Sequence, residues 1–223
     1  MRRLRGLLLG GAVGLSGLLG FGAPAAHADF IPTLVAVTPD GGGDFIYTYD
    51  VLLTGGEAAT PGGAPVLDGG GVQVPGNIGV SGSFFTIYDF QGLVSGSETI
   101  SPLSGQWTAE ELALGATPPQ VVPVPPDGSF TNLTFYLSGA PPVPGSVLFT
   151  VTAKSTIGLV SLGAYTSEAA DTLTPGKFDQ AVGNTFVPNP SGGPLPTPLP
   201  ASALSGLGLL GLLAGKKLTS RKA

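Results

Sequence analysis

Cysteine is absent from the 223 residues, and the single histidine, His27, stands near the N-terminus. Disulfides and thiolate metal sites are therefore excluded. His27 is expected to leave with an N-terminal leader. The rest of the chain then lacks a Ser-His-Asp triad, a Cys-His pair, nitrogen-ligated zinc and a histidine general base. Cations are scarce as well. Between the two ends only Lys154 and Lys177 are basic, while all fourteen acids lie between Asp29 and Asp179. So acidic a middle repels phosphate, which excludes DNA and RNA as partners. No Gly-x-Ser-x-Gly elbow, phosphate-cradling loop or dinucleotide fingerprint is present.

Glycine and proline are abundant, at 37 and 22 residues, about a quarter of the chain. That share approaches low complexity. The apolar residues nevertheless make up 42% and fall in alternating runs, so the Gly and Pro are read as turn formers of a strand-rich fold. The length suits one compact domain with export elements at its ends.

The N-terminus has the three parts of a secretory signal peptide. Met1–Arg5 is basic, Gly6–Phe21 is apolar, and Ala26-His27-Ala28 offers small residues where signal peptidase reads them. Cleavage after Ala28 makes Asp29 the first mature residue. An uncleaved membrane helix fits less well, because the apolar stretch is short, rich in Gly and followed by the A-x-A site. The C-terminus is also tripartite. Pro188–Pro200 is an uncharged Pro-rich spacer, Ala201–Gly215 is apolar, and Lys216, Lys217, Arg221 and Lys222 close the chain. As a helix the apolar part is ~22 Å long against a hydrocarbon core of ~30 Å, short for a lasting anchor. Basic residues stay cytoplasmic and acidic segments translocate, so 29–200 is expected outside and both tips inside.

Pro198-Leu199-Pro200, followed by the Gly/Leu-rich apolar segment and the basic tail, resembles the PEP-CTERM sorting signal, with Pro-Leu-Pro in place of Pro-Glu-Pro. Pro194-Leu195-Pro196 repeats the motif just upstream. The resemblance implies processing by an integral-membrane exosortase in Gram-negative bacteria, often ones that make exopolysaccharide. The implied partners are signal peptidase and that exosortase. Contact with the membrane would be transient, and the destination would be the cell surface or extracellular matrix. A Gram-positive sortase signal needs Leu-Pro-x-Thr-Gly, which Leu195-Pro196-Thr197-Pro198 does not supply.

Between the signals the strand period dominates. Phe45, Tyr47, Tyr49, Val51 and Leu53 share one face of 44–54, and Val147, Phe149, Val151 and Ala153 share one face of 146–154. Further strands are expected over 33–38, 83–90, 130–137, 157–165 and 177–187. Turns are expected at 39–43, 55–63, 68–71, 125–128 and 140–145. One short helix is expected at 108–114, around Glu110 and Glu111. These elements predict an all-β sandwich outer domain over 29–187 with jelly-roll-like connections, a signal helix before it and a short membrane helix after it. The segments 45–51, 85–90, Trp107, 132–135 and 146–155 also resemble outer domains that accompany the sorting signal.

Within that domain, paired carboxylates could still hydrolyse a glycosidic bond. Glu110 and Glu111 are adjacent and would diverge on a helix, so a solvated face is the expected reading. Asp40 and Asp44 bracket a three-glycine turn, and Asp68 and Asp127 begin others. Calcium would accept such oxygens, but no Asp-x-Asp-x-Asp-Gly loop exists, so ordinary turns are expected and no cofactor or metal. Asp89 is assigned a local hydrogen-bonding role ahead of a ligand contact, and Trp107 a core role ahead of sugar stacking. Asn132-Leu133-Thr134 matches a glycosylation triplet without implying use. The expected function is a non-enzymatic, exosortase-sorted surface or matrix protein. The alternatives are an exopolysaccharide-binding module and, third, a carboxylate-only hydrolase.

Overall fold

The computed structural model describes residues 30–74, 82–121, 125, 130–140 and 148–196. The described chain is all-β, built from ten strands in two antiparallel sheets. The strands are β1 (Phe30–Pro39), β2 (Phe45–Leu53), β3 (Glu57–Ala58), β4 (Phe84–Ile87), β5 (Thr99–Ser101), β6 (Trp107–Leu112), β7 (Asn132–Leu137), β8 (Leu148–Ser155), β9 (Val160–Asp171) and β10 (Phe178–Pro188). One sheet has the order β1-β2-β8-β5. The other runs β10-β9-β4-β7-β6, with β3 added to β9.

The alternation seen in the sequence is the alternation of burial. In β2 Tyr47, Tyr49, Val51 and Leu53 are buried, and in β8 Phe149, Val151 and Ala153 are. Their faces meet those of Phe85, Ile87, Leu133, Phe135 and Leu137 from the other sheet in a single core. Phe85 is its centre, stacked on Phe135 with ring centroids 4.9 Å apart and tilted against Phe149 at 6.3 Å. Each such ring or aliphatic side chain removed from water contributes about 1.5–3 kcal/mol. The β1–β2 hairpin turns at Asp40, whose Oδ1 accepts from the Gly42 and Asp44 amides at 2.7 and 3.2 Å. That is the local reason an Asp-Gly-Gly-Gly stretch reverses the chain here.

The helix expected at 108–114 does not form. Trp107–Leu112 is an edge strand whose Thr108, Ala109, Glu110 and Glu111 pair with Tyr136, Phe135, Thr134 and Leu133. The helical preference of Glu and Ala is a weak term, and the strand ladder together with burial of Trp107 outweighs it. Strands β3 and β5 had no counterpart in the sequence reading, being two and three residues long.

The segment after β10 stays on the sandwich. The Asn189 amide donates to Leu159, and Val160 and Gly193 exchange backbone hydrogen bonds at 2.7 and 2.9 Å. Leu195 packs against the core. The first part of the Pro188–Pro200 segment is therefore docked.

Candidate functional site

Ala26, Ala28 and Asp29, the sorting motif Pro198, Leu199 and Pro200, the apolar segment 201–215 and the basic residues Lys216, Lys217, Arg221 and Lys222 all lie outside the described residues. So do Asp127 and Val147. Among the described residues no helix is long and apolar enough to cross a membrane.

A groove of about 500 Å³ opens where edge strands β5 and β6 of the two sheets come together. Glu98, Thr99 and Ile100 line it from one sheet, and Trp107, Thr108 and Ala109 from the other, with Ser104 between them. Trp107 is 3% exposed and packs against Phe30 and Phe149 with ring centroids 5.1 and 4.9 Å away. It is a core residue, as expected, and offers no open ring face to a sugar. The Thr99 hydroxyl pairs with Thr152 at 2.7 Å, and the Thr108 hydroxyl with Ser138 at 2.8 Å.

Carboxyl groups give the groove its electrostatics. Strand geometry sends consecutive side chains to opposite faces, so Glu110 and Glu111 diverge as anticipated, though on a strand. Glu110 Oε1 accepts from the Tyr136 hydroxyl at 3.4 Å, while Glu111 Oε1 accepts from the Gly96 amide at 2.7 Å. Burial pushes the Glu98 carboxyl above its ordinary range, and the charge of Glu111 and a hydrogen bond to it push the same way. Glu98 and Glu111 thus bridge the two sheet edges, a pairing between residues well separated in sequence.

The other residues singled out by sequence have structural partners. Asp89 takes a left-handed backbone (φ 52), and its amide donates to Asn132 Oδ1 at 2.9 Å. Asn132 is fully buried, and its amide nitrogen donates to the Leu112 and Ala113 carbonyls at 3.3 and 3.2 Å. Such a side chain is no glycan acceptor in the folded domain. Tyr88 and Thr166 reach each other at 3.2 Å, Tyr88 also meets Thr117, and Thr166 donates to the Ala116 carbonyl at 2.7 Å. Asp40 Oδ2 is paired with Lys154 Nζ at 3.1 Å, and Asp68 Oδ1 caps the Gly70 and Val72 amides at 2.8 and 3.0 Å. Among the described residues no three acids are grouped so as to hold a metal ion.

Sequence reasoning missed two buried acids. Glu168 on β9 has no exposed surface and accepts from Gln180 Nε2 at 2.7 Å and Gln73 Nε2 at 3.3 Å. Burial raises its pKa, and the two amide donors oppose that rise. Glu57 on β3 is 7% exposed and faces Asp171 and Asp179. Neither had a sequence signal, because their partners come from other strands.

Fold and site together define an all-β, two-sheet domain whose polar groups are spent mostly on one another. No known protein family matches this chain, and no curated protein or solved structure does either.

Proposed function

We propose that this chain is an exported cell-surface or matrix protein of the PEP-CTERM type, whose outer domain acts without catalysis. One observation carries the reading: the order of parts along the chain. A basic, apolar, A-x-A segment precedes an acidic domain, and Pro-Leu-Pro, an apolar segment and a basic tail follow it. The fold is compatible with that order. Phe30, next to the expected cleavage point, is 1% exposed and pairs with Leu53, so the core begins where a mature chain would. At the other end Leu195 and Pro196 lie beside Leu34 and Val35 of β1, which brings the outgoing chain next to the first strand. The signal helix, the membrane helix and the exosortase belong to this proposal.

A structural role is favoured over a sugar-stacking one by how the aromatic rings are placed. Among the described residues Phe130 is the one exposed aromatic side chain, so rings do not form a stacking platform for a polysaccharide. The second reading, exopolysaccharide binding, would use the β5/β6 groove, where Glu98 and Ser104 offer polar contacts.

Intact-mass analysis of surface-localised protein from its native host tests the sorting proposal. The expected form begins at Asp29 and lacks Ala201–Ala223. Alanines at Pro198–Pro200 should leave a longer form in the inner membrane. Neutral replacements of Lys216, Lys217, Arg221 and Lys222 should release unprocessed chain, because each charge drawn to the membrane centre costs ~2.5–3.5 kcal/mol. A surface form that retains Ala201–Ala223 overturns the proposal.

A further inference from the structure

The long connection from β2 to β4 leaves one sheet and is fastened to the other at β3. The Gly56 carbonyl accepts from the Thr172 amide at 2.9 Å and from its hydroxyl at 2.5 Å. Glu57 stands opposite Asp171, and Ala58 opposite Ala170. On the far side of β9, Asp179 stands opposite Ala169. Cross-strand partners and residues two apart share a face, so β3, β9 and β10 place Glu57, Asp171 and Asp179 on the same side of the sheet.

Glu57 is the buried member. It is 7% exposed, its Oε2 has no partner, and the Asp171 and Asp179 carboxyls are its acidic neighbours. Burial beside two other acids disfavours the ionised carboxylate, so the docked state favours a protonated Glu57. Asp171 is engaged separately, its Oδ1 accepting from the Leu173 amide at 2.7 Å. The only base on these strands and their turn is Lys177, whose carbonyl accepts from the Asp171 amide at 3.1 Å. Glu168, also on β9, is held by Gln73 and Gln180.

We propose that Glu57 keeps its proton while β3 is docked, and that this proton latches residues 56–58 of the β2–β4 connection onto the six-stranded sheet. The Glu57 pKa is pushed up to about 8, first by burial, then by the charge of Asp179, the hydrogen bond to it and the charge of Asp171. A folded pKa above the ordinary 4.5 means the latch is fully effective below 4.5 and weakens as pH rises through about 8. Between those values the open state loses a proton that the closed state keeps, so opening becomes about tenfold easier per pH unit and then levels off. Opening is local, since β3 contributes two residues and the aromatic core lies elsewhere.

Hydrogen exchange of the Thr172 amide in the full chain, corrected for intrinsic rate, reads the latch directly. Its protection should fall with pH up to about 8 and then level, while amides of β4 keep theirs. Glu57→Gln retains a donor toward Asp179 and removes the charge, so protection should become independent of pH. Carbon-13 titration of the wild-type Glu57 carboxyl gives a check that needs no variant, with an expected midpoint near 8. A midpoint near 4.5, or a variant that keeps the wild-type slope, overturns the proposal. Protection at high pH restored by millimolar calcium overturns it too, because the acids would then be holding a cation.

Discussion

The phenol of Tyr49 on β2 donates to the Phe186 carbonyl on β10 at 2.8 Å, tying one sheet to the other through residues 137 positions apart. Tyr49 is 1% exposed, so this hydrogen bond is made inside the sandwich. Tyr49→Phe keeps the ring and removes the tie, and stability should fall by about 1–3 kcal/mol. At this size each kcal/mol lowers the melting temperature by about 2–4 °C. An unchanged midpoint in thermal and urea unfolding would show that the hydroxyl contributes nothing.

Alkaline titration should separate the buried phenols from the rest. Tyr47, which donates to the Ile157 and Leu159 carbonyls, is pushed up to about 12 by burial. Tyr49 is raised well above its ordinary value by burial and then by the charge of Tyr47. A raised phenol favours the fold while protonated. Its contribution is whole below the ordinary value of 10 and is lost as pH rises through about 12. Tyrosinate absorbance should show Tyr47 and Tyr49 ionising well above the ordinary value of 10, together with unfolding. Five tyrosines titrating as one group near 10 would contradict the assignment.

Calcium should leave the melting temperature nearly unchanged. The Asp40 oxygens are already given to Lys154 and to the Gly42 and Asp44 amides, and Asp68 Oδ1 to two turn amides. A specifically bound ion at a hundredfold excess over its Kd would add ~2.7 kcal/mol, several degrees here. Differential scanning fluorimetry with millimolar calcium, then with chelator, distinguishes the outcomes.

Gly192 allows the segment after β10 to lie flat on β9. A Cβ there would collide with the Val160 backbone carbonyl, which cannot rotate aside as a side chain would. Gly192→Ala should therefore lift residues 189–196 from the sheet at a cost of about 1–3 kcal/mol. Limited proteolysis should cut beyond Pro188 faster in the variant than in the wild type, with the sandwich intact in both. Equal rates would mean that this contact does not hold the segment.

The strands that carry the core were legible because burial repeats every second residue along them. Phe45–Leu53 and Phe149–Ala153 announce their inner faces without any partner being known. Trp107 could be assigned to the core for a similar reason, a lone large ring in a strand-rich chain. Strand β6 was not legible, since Ala109, Glu110, Glu111 and Leu112 are good helix formers when read alone. Glu57 and Glu98 gave no sign either, because a carboxyl becomes unusual only when a second one is brought beside it.

By itself the sequence determined the strand-rich character, the turns at Asp40 and Asp68, and the exclusion of thiol chemistry. These follow from residue type and period 2, properties that a chain expresses within a few neighbouring positions. Tertiary structure alone decided that β2 pairs with β8, that Trp107–Leu112 is a strand, and that Glu57 meets Asp179 and Glu98 meets Glu111. Those outcomes depend on contacts between distant segments, whose burial and hydrogen bonding outweigh local preferences worth about 1 kcal/mol or less per residue.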